Sequence, residues 1–92
     1  MTKSIDLADK KIIIENAINS ISYVQTKTYM NNSFAVSLKN EKDLKNFEKV
    51  LQPSVINAMN KYLEDKKLDP KEYARALSYT VHNTGKNAVI TF

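Results

Sequence analysis

Residues 54–82 constrain the fold more than any other stretch, because they carry the clearest helix signals in the chain. Asp69 offers an N-cap carboxylate, Pro70 suits the first helical position, and Glu72 completes a capping box. The stretch therefore predicts two amphipathic helices joined at residues 66–70. The second helix would run to His82 and bury the apolar positions at helical spacing, which are Tyr73, Ala74, Leu77 and Val81.

The N-terminal half predicts a helix followed by a β-hairpin. Residues 6–19 place apolar side chains on one helical stripe, with Asp6 as the expected cap. A strand at residues 12–14 is the alternative, because three isoleucines follow one another there. Residues 21–39 combine a first arm rich in threonine, tyrosine and valine with a second arm that alternates between apolar and polar positions. The turn-forming Asn31-Asn32-Ser33 between them predicts a β-hairpin.

A further helix is expected from Asn40, with Pro53 ending or kinking it before Ser54 begins the next one. Gly85 would end the last helix, and the alternating residues 87–92 predict a C-terminal strand that pairs with the hairpin. The predicted order is α-β-β-α-α-α-β. This order indicates an α+β fold in which a three-stranded, largely antiparallel sheet is covered on one face by three to four helices.

Length and composition predict one domain over residues 1–92 in a reducing compartment. The chain has 92 residues and no cysteine, so thiol chemistry and disulfides are excluded. No apolar run is long enough to span a membrane, and the N-terminus does not resemble a signal peptide. A cytoplasmic protein without membrane contact is expected. The net charge of +4 permits an acidic partner but does not require one.

The residues that most often carry chemistry do not form a recognisable catalytic set. His82 is the only histidine, and its predicted position at a helix end favours a structural role. Thr84-Gly85-Lys86 resembles the end of a phosphate-binding loop but lacks the first glycine and the following hydroxyl residue. We therefore expect a protein that is not an enzyme and that uses no metal and no cofactor.

The basic corner between the two predicted helices is the first candidate binding surface. On the last predicted helix, one face would carry Lys71, Arg75, Ser78 and His82 at helical spacing. The recognition helix of a helix-turn-helix uses such a face. Lysine outnumbers arginine thirteen to one in the chain, which weakens a base-reading role. The candidate residues are Lys61, Lys66, Lys67, Lys71, Arg75, Ser78, Tyr79 and His82.

The first arm of the hairpin is a second candidate surface. Its alternation places Tyr23, Gln25, Lys27 and Tyr29 on one face. Tyrosines beside lysine or glutamine are common at protein interfaces and can also stack on single-stranded bases. Covering the sheet is an equally good interpretation of the same residues.

The predicted element order is close to one KH topology, α-β-β-α-α-β. The Gly-x-x-Gly loop with which KH domains clamp RNA is missing, since Gly85 is the only glycine. The chain is therefore not assigned to that family. We expect a small binding protein that acts on another protein as a regulator, inhibitor or adaptor, with a composition typical of a phage or mobile-element accessory protein. The alternatives are a nucleic-acid-binding protein that uses residues 61–75 and, for the assembly, a homodimer.

Overall fold

The computed structural model describes residues 4–73 and 76–92. Ala74 of the predicted last helix and Arg75 of the predicted basic corner lie outside the described residues. Two α-helices and four strands follow in the order α1 (Leu7–Asn19), β1 (Val24–Met30), β2 (Ser33–Leu38), α2 (Leu44–Asp65), β3 (Thr80–Thr84) and β4 (Asn87–Thr91). Short 3-10 turns at Glu41–Asp43 and Pro70–Tyr73 precede and follow α2.

The four strands form one antiparallel sheet in the order β1-β2-β4-β3, so β1 and β3 are its two edges. The chain is an α+β protein, but the predicted three-stranded sheet covered by three to four helices is wrong. The described residues contain four strands and two α-helices. The difference arises in two places, at Pro53 and at residues 70–84.

The N-terminal half has the predicted elements. α1 begins directly after Asp6, although the Asp6 carboxylate makes no capping hydrogen bond. β1 and β2 form the predicted hairpin, and the two-residue loop between them places Asn31 at a φ of 55°. Asparagine tolerates this left-handed conformation better than most residues, which is why the turn could be located from the sequence.

The prediction that a new helix begins after Pro53 is wrong. α2 is a single helix of 22 residues with Pro53 inside it on the exposed side. A proline in a helix interior removes one backbone hydrogen bond and crowds the preceding turn. The apolar stripe continues through this point, with Leu51 and Val55 buried on either side of Pro53, so packing against the core holds the helix together.

The predicted helix over residues 70–82 is also wrong. Its start signal works locally, because the Lys71 N–H donates to Asp69 Oδ1 at 3.0 Å. The following 3-10 turn ends at Tyr73, and residues 80–84 form β3 instead. Gly85 has a φ of 61° in the two-residue loop to β4, so it closes a hairpin rather than a helix.

The core lies between one face of the sheet and the two helices. Phe34 and Val36 of β2 and Ile90 of β4 are buried against residues of α1 and α2, among them Phe47. A second, smaller cluster joins α1 to the C-terminal half of α2 and the turn after it; its buried members are Ile5, Ile13, Leu63 and Tyr73. Both helices therefore cover the same face of the sheet. Within the described ranges, no helix combines the length and the hydropathy needed to cross a membrane.

Candidate interaction surfaces

The sheet face turned away from the helices is the first surface that the fold defines. Because side chains alternate along a strand, the residues between the buried positions of β2 and β4 share this opposite face with their partners in β1 and β3. We call it the open face. Its positions form three rows across the sheet, in the order β1, β2, β4, β3: Thr26-Ser37-Asn87-Thr84, Thr28-Ala35-Val89-His82 and Met30-Ser33-Thr91-Thr80.

The open face carries no lysine, arginine, aspartate or glutamate, and every one of its positions lies in the described part of the chain. Charged residues make up 26% of the whole chain. Hydroxyl side chains occupy most of the positions and bond locally: the Thr26 and Ser37 hydroxyls share a hydrogen bond, and Ser33 Oγ donates to the Met30 carbonyl oxygen at 3.0 Å. The result is a surface of uncharged, mostly short side chains on the outer side of the sheet.

His82 was predicted to lie at the end of a helix, but it lies on the open face. It is exposed in the edge strand β3 and pairs with Val89 of β4. Thr80 and Thr84 flank it on the same face at two-residue spacing. None of these neighbours is a carboxylate that could orient the imidazole as a general base. Among the described residues, no group of three or more His, Asp or Glu could hold a metal ion.

The described lysines of the predicted basic corner lie in a segment that also carries acidic side chains. Lys61 lies on α2, Lys66 follows its last residue, Lys67 has a φ of 59°, and Lys71 lies in the 3-10 turn. All four lysines are exposed. The same segment contains an equal number of acidic residues, which are Glu64, Asp65, Asp69 and Glu72. Positive and negative charges therefore balance over residues 61–73.

Ser78 and Tyr79, the remaining candidates of the basic corner, lie elsewhere in the fold. They line a small cavity with Glu48 and Gln52 of α2. Lys66 follows Gln52 by fourteen residues, which corresponds to about 20 Å along a helix. Tyr79 is half-buried against the main core, and burial, followed by the negative charge of Glu48, raises the pKa of its hydroxyl. Of the predicted helical stripe of Lys71, Arg75, Ser78 and His82, the described members do not share a helix: Lys71 lies in the 3-10 turn, Ser78 lies between elements and His82 lies in β3.

The hairpin candidates do not form one exposed face either. The register of β1 shifts between Val24 and Thr26, so the alternation that the sequence analysis assumed breaks at Gln25. Tyr23 is half-buried against the main core, and burial, with a smaller contribution from the Asp43 charge, raises its pKa. Gln25 is exposed.

Lys27 and Tyr29 face the helices and hold β1 to α1. Lys27 Nζ lies 2.9 Å from Glu15 Oε2 and donates to Asn19 Oδ1 at 2.7 Å. The Tyr29 ring contacts Phe34, with 5.1 Å between ring centroids, and Lys11 Nζ lies 4.3 Å from the Tyr29 centroid. These side chains therefore have partners within the chain, which makes the sheet-covering interpretation the better one for both.

A groove of about 750 Å³ runs between α1 and α2 on the helical side of the molecule. Tyr62 bridges the helices at this groove, donating its hydroxyl to Asp9 Oδ2 at 2.8 Å. Burial, this hydrogen bond and the carboxylate charges of Asp9 and Asp6 raise the pKa of Tyr62 to about 12. The Tyr62 hydroxyl therefore stays protonated over the ordinary pH range and acts as a hydrogen-bond donor between the helices.

Sequence reasoning missed the open face because it assigned Thr80, His82 and Thr84 to a helix. The signal for a hairpin was present: Thr80, Val81 and Thr84 are β-branched, and the Gly85-Lys86 pair separates them from the alternating residues 87–91.

Comparisons of the chain with protein-family models, with curated proteins and with solved structures found no match.

Proposed function

We propose that this chain is a non-enzymatic protein that binds another protein through its open face, as a regulator, inhibitor or adaptor. The observation that carries the proposal is the charge distribution. A sheet face with three rows of four side chains carries no charged residue, in a chain with 14 basic and 10 acidic residues.

An uncharged, hydroxyl-rich surface suits a protein partner better than a nucleic acid. The centres of protein interfaces are depleted in charged side chains, because each buried charge must lose its hydration. Exposed Met30 and half-buried Ala35 and Val89 offer apolar contact, while the threonines can hydrogen-bond to a partner. Nucleic-acid binding depends on lysine and arginine at the phosphate backbone, and this face has neither.

The basic corner supports nucleic-acid binding weakly for a related reason. Exposed Lys61 and Lys71 would be the phosphate contacts, but Asp65 and Glu72 lie in the same short segment. A phosphate approaching the lysines would also approach these carboxylates, so little electrostatic attraction remains. Nucleic-acid binding is therefore the weaker alternative, and nuclease treatment of crosslinked extracts distinguishes it from protein binding.

Site-specific photo-crosslinking in extracts of the source cells tests the proposal. A photoreactive side chain is introduced at Thr28 on the open face and, in a matched control, at Asn60 on the exposed side of α2. Both positions are exposed, so neither label should disturb the core. We expect a discrete protein adduct at Thr28 that persists after nuclease treatment, and no such adduct at Asn60.

Three results would overturn the proposal. Equal crosslinking at Thr28 and Asn60 would show that the open face is not selective. Nuclease-sensitive adducts at either position, reduced by charge reversal at Lys61 and Lys71, would favour nucleic-acid binding instead. Absence of any adduct at Thr28 in extracts that yield adducts elsewhere on the chain would exclude this face.

A further inference from the structure

The edge strand β3 lacks the features that protect the other edge of the sheet, β1, from adding a further strand. Natural edge strands are commonly protected by lysine, proline or a bulge, because an unprotected edge can add another strand. β1 has such protection, with Lys27 and the register shift next to Gln25. β3 reads Thr-Val-His-Asn-Thr and has no charge, no proline and no register shift. Within the strand itself, the short length of five residues is the one protective feature.

The register of the β3–β4 hairpin shows which backbone groups of β3 face outward. The closing pair of a two-residue loop, here Thr84 and Asn87, exchanges both hydrogen bonds, and such pairs recur at every second residue. His82 and Thr80 therefore bond to β4. The N–H and C=O groups of Val81 and Asn83 point to the free edge.

We infer that β3 is a self-association edge, at which a second copy of this chain adds its own β3 in antiparallel orientation about a twofold axis at His82. This register places Val81 of each copy opposite Asn83 of the other, so that their outward groups form two hydrogen-bonded pairs. His82 lies opposite its own symmetry mate. Thr80 of each copy lies opposite Thr84 of the other, on the open face.

Two features of the strand favour a second copy over a different protein. A twofold interface must be complementary to itself, and threonine at both Thr80 and Thr84 makes β3 symmetric about His82 on the open face. Threonine pairs across antiparallel strands are also favourable. In addition, each copy carries a net charge of +4, and two such copies repel least where they meet through an uncharged strand.

The contact is small, so the dimer should be weak. One pair of five-residue strands buries less than the roughly 800 Å² per partner that stable interfaces reach. We therefore expect a concentration-dependent equilibrium rather than a permanent dimer. Its consequence would be to join two open faces into one continuous surface, from four strands to eight. The inference is independent of the proposed hetero-partner.

Oxidative crosslinking tests the register in the full chain, which has no cysteine of its own. In the proposed dimer, His82 and its symmetry mate form a non-hydrogen-bonded pair with Cα atoms about 4.5 Å apart, which is within the range that disulfides span. The variant His82→Cys should form a disulfide-linked dimer rapidly under mild oxidation. The matched control is Thr28→Cys, since Thr28 ends the same row at the opposite edge of the sheet.

Sedimentation of the purified chain over a range of concentrations measures the equilibrium itself. His82→Lys places two ammonium groups opposite each other and should weaken the dimer by about tenfold, whereas Thr28→Lys should leave it unchanged. Asn83→Pro removes an outward N–H that β4 does not use, so the monomer should fold while the dimer weakens by about tenfold or more.

The inference fails if the purified chain is monomeric at all concentrations, or if Thr28→Cys crosslinks as readily as His82→Cys. A dimer weakened equally by Thr28→Lys and His82→Lys would place the contact between open faces and would also overturn it. These measurements use the purified chain alone. A failure here therefore leaves the crosslinking of a different protein at Thr28 unaffected, and the converse also holds.

Discussion

The two edges of the sheet are stabilised in different ways. At β1, side chains make the contacts: Lys27 binds Glu15 and Asn19 of α1, and Tyr29 lies between Lys11 and Phe34. At β3, Val81 is the residue that packs against the main core, and the strand is otherwise placed by its pairing with β4.

This difference shows that a sheet edge can be fixed either by tertiary contacts or by a turn. The contacts of β1 with α1 protect that edge and commit Lys27 and Tyr29 to partners within the chain. Apart from Val81, the side chains of β3 are exposed, and its outer backbone groups make no hydrogen bond to the described residues, so β3 can serve as a surface. The stability of β1 should therefore depend on core side chains, and that of β3 on the loop at Gly85.

Replacing Phe34 should destabilise the β1 edge and have the largest effect on the free energy of unfolding. Phe34 is 1% exposed, and its ring supports both Tyr29 and Phe92, with centroid distances of 5.1 and 5.8 Å. Phe34→Ala should lower the free energy of unfolding by about 3–5 kcal/mol, because it leaves a cavity under β1. Urea denaturation measures this loss.

Val81→Ala is the matched variant, since Val81 and Phe34 lie in the same row on the inner face of the sheet. Val81 is only half-buried, so its loss should cost about 1 kcal/mol. If Phe34→Ala does not fold, Phe34→Leu should still cost more than Val81→Ala. Equal losses at the two positions would contradict the proposed difference between the edges.

Replacing Gly85 should destabilise the β3–β4 hairpin, with an intermediate effect on the free energy of unfolding. A Cβ at this position would meet no atom within 4 Å, so the φ of 61° is the only source of strain. Gly85→Ala should therefore cost about 1–2 kcal/mol, the penalty of a left-handed conformation for a residue with a side chain. Amide hydrogen exchange should show the loss of protection mainly in β3 and little in β1.

The other two-residue loop provides the control for Gly85. Asn31 has a φ of 55°, and Asn31→Gly introduces the residue best suited to that conformation. This variant should be within about 0.5 kcal/mol of the unchanged chain. If Gly85→Ala is equally neutral, the loop does not fix β3, and the strand must depend on contacts of its side chains.

The turns also explain how far the fold could be predicted from the sequence. α1, the β1–β2 hairpin and the pairing of the C-terminal strand with that hairpin could be predicted, because alternation and the Asn31-Asn32 turn agree with each other. The second hairpin was missed although its β-branched residues and the Gly85 turn were visible, because Asp69 and Pro70 form a strong helix start that the chain uses for only one 3-10 turn. A start signal says nothing about how far a helix continues.

The candidate site was harder to predict than the fold, because its residues depend on the assignment of one segment. Read as a helix, residues 71–82 give a basic stripe; read as a strand, Thr80, His82 and Thr84 join the open face. Pro53 was misleading in the opposite direction, since buried Leu51 and Val55 outweigh its local cost. The two errors have different physical causes: burial of the neighbouring apolar residues outweighs the proline in α2, whereas residues 80–84 are mostly exposed and form a strand because they pair with β4.

Replacing Tyr62 should have the smallest effect on stability. It should act on the β1 edge, because Tyr62 holds α1, which contacts β1. The Tyr62 hydroxyl donates to Asp9 at 2.8 Å and joins the two helices. Tyr62→Phe removes this hydrogen bond and keeps the ring, so it should cost about 1 kcal/mol. Hydrogen exchange should become faster in α1 and β1, while β3 should be unchanged.

The pH dependence separates this hydrogen bond from a loss of packing. The pKa of Tyr62 is raised from 10.0 to about 12, first by burial and then by the bond to Asp9 and the nearby carboxylates. The unfolded chain therefore loses the Tyr62 hydroxyl proton at a lower pH than the folded chain does. The stability that this hydroxyl contributes is complete below pH 10 and is lost as the pH rises toward 12. Tyr62→Phe should reduce the fall in stability over that range without abolishing it, since Tyr23 and Tyr79 also have raised pKa values. An unchanged slope in Tyr62→Phe would show that the hydroxyl does not join α1 to α2 in solution, and the protection of β1 would then rest on the contacts of Lys27 and Tyr29.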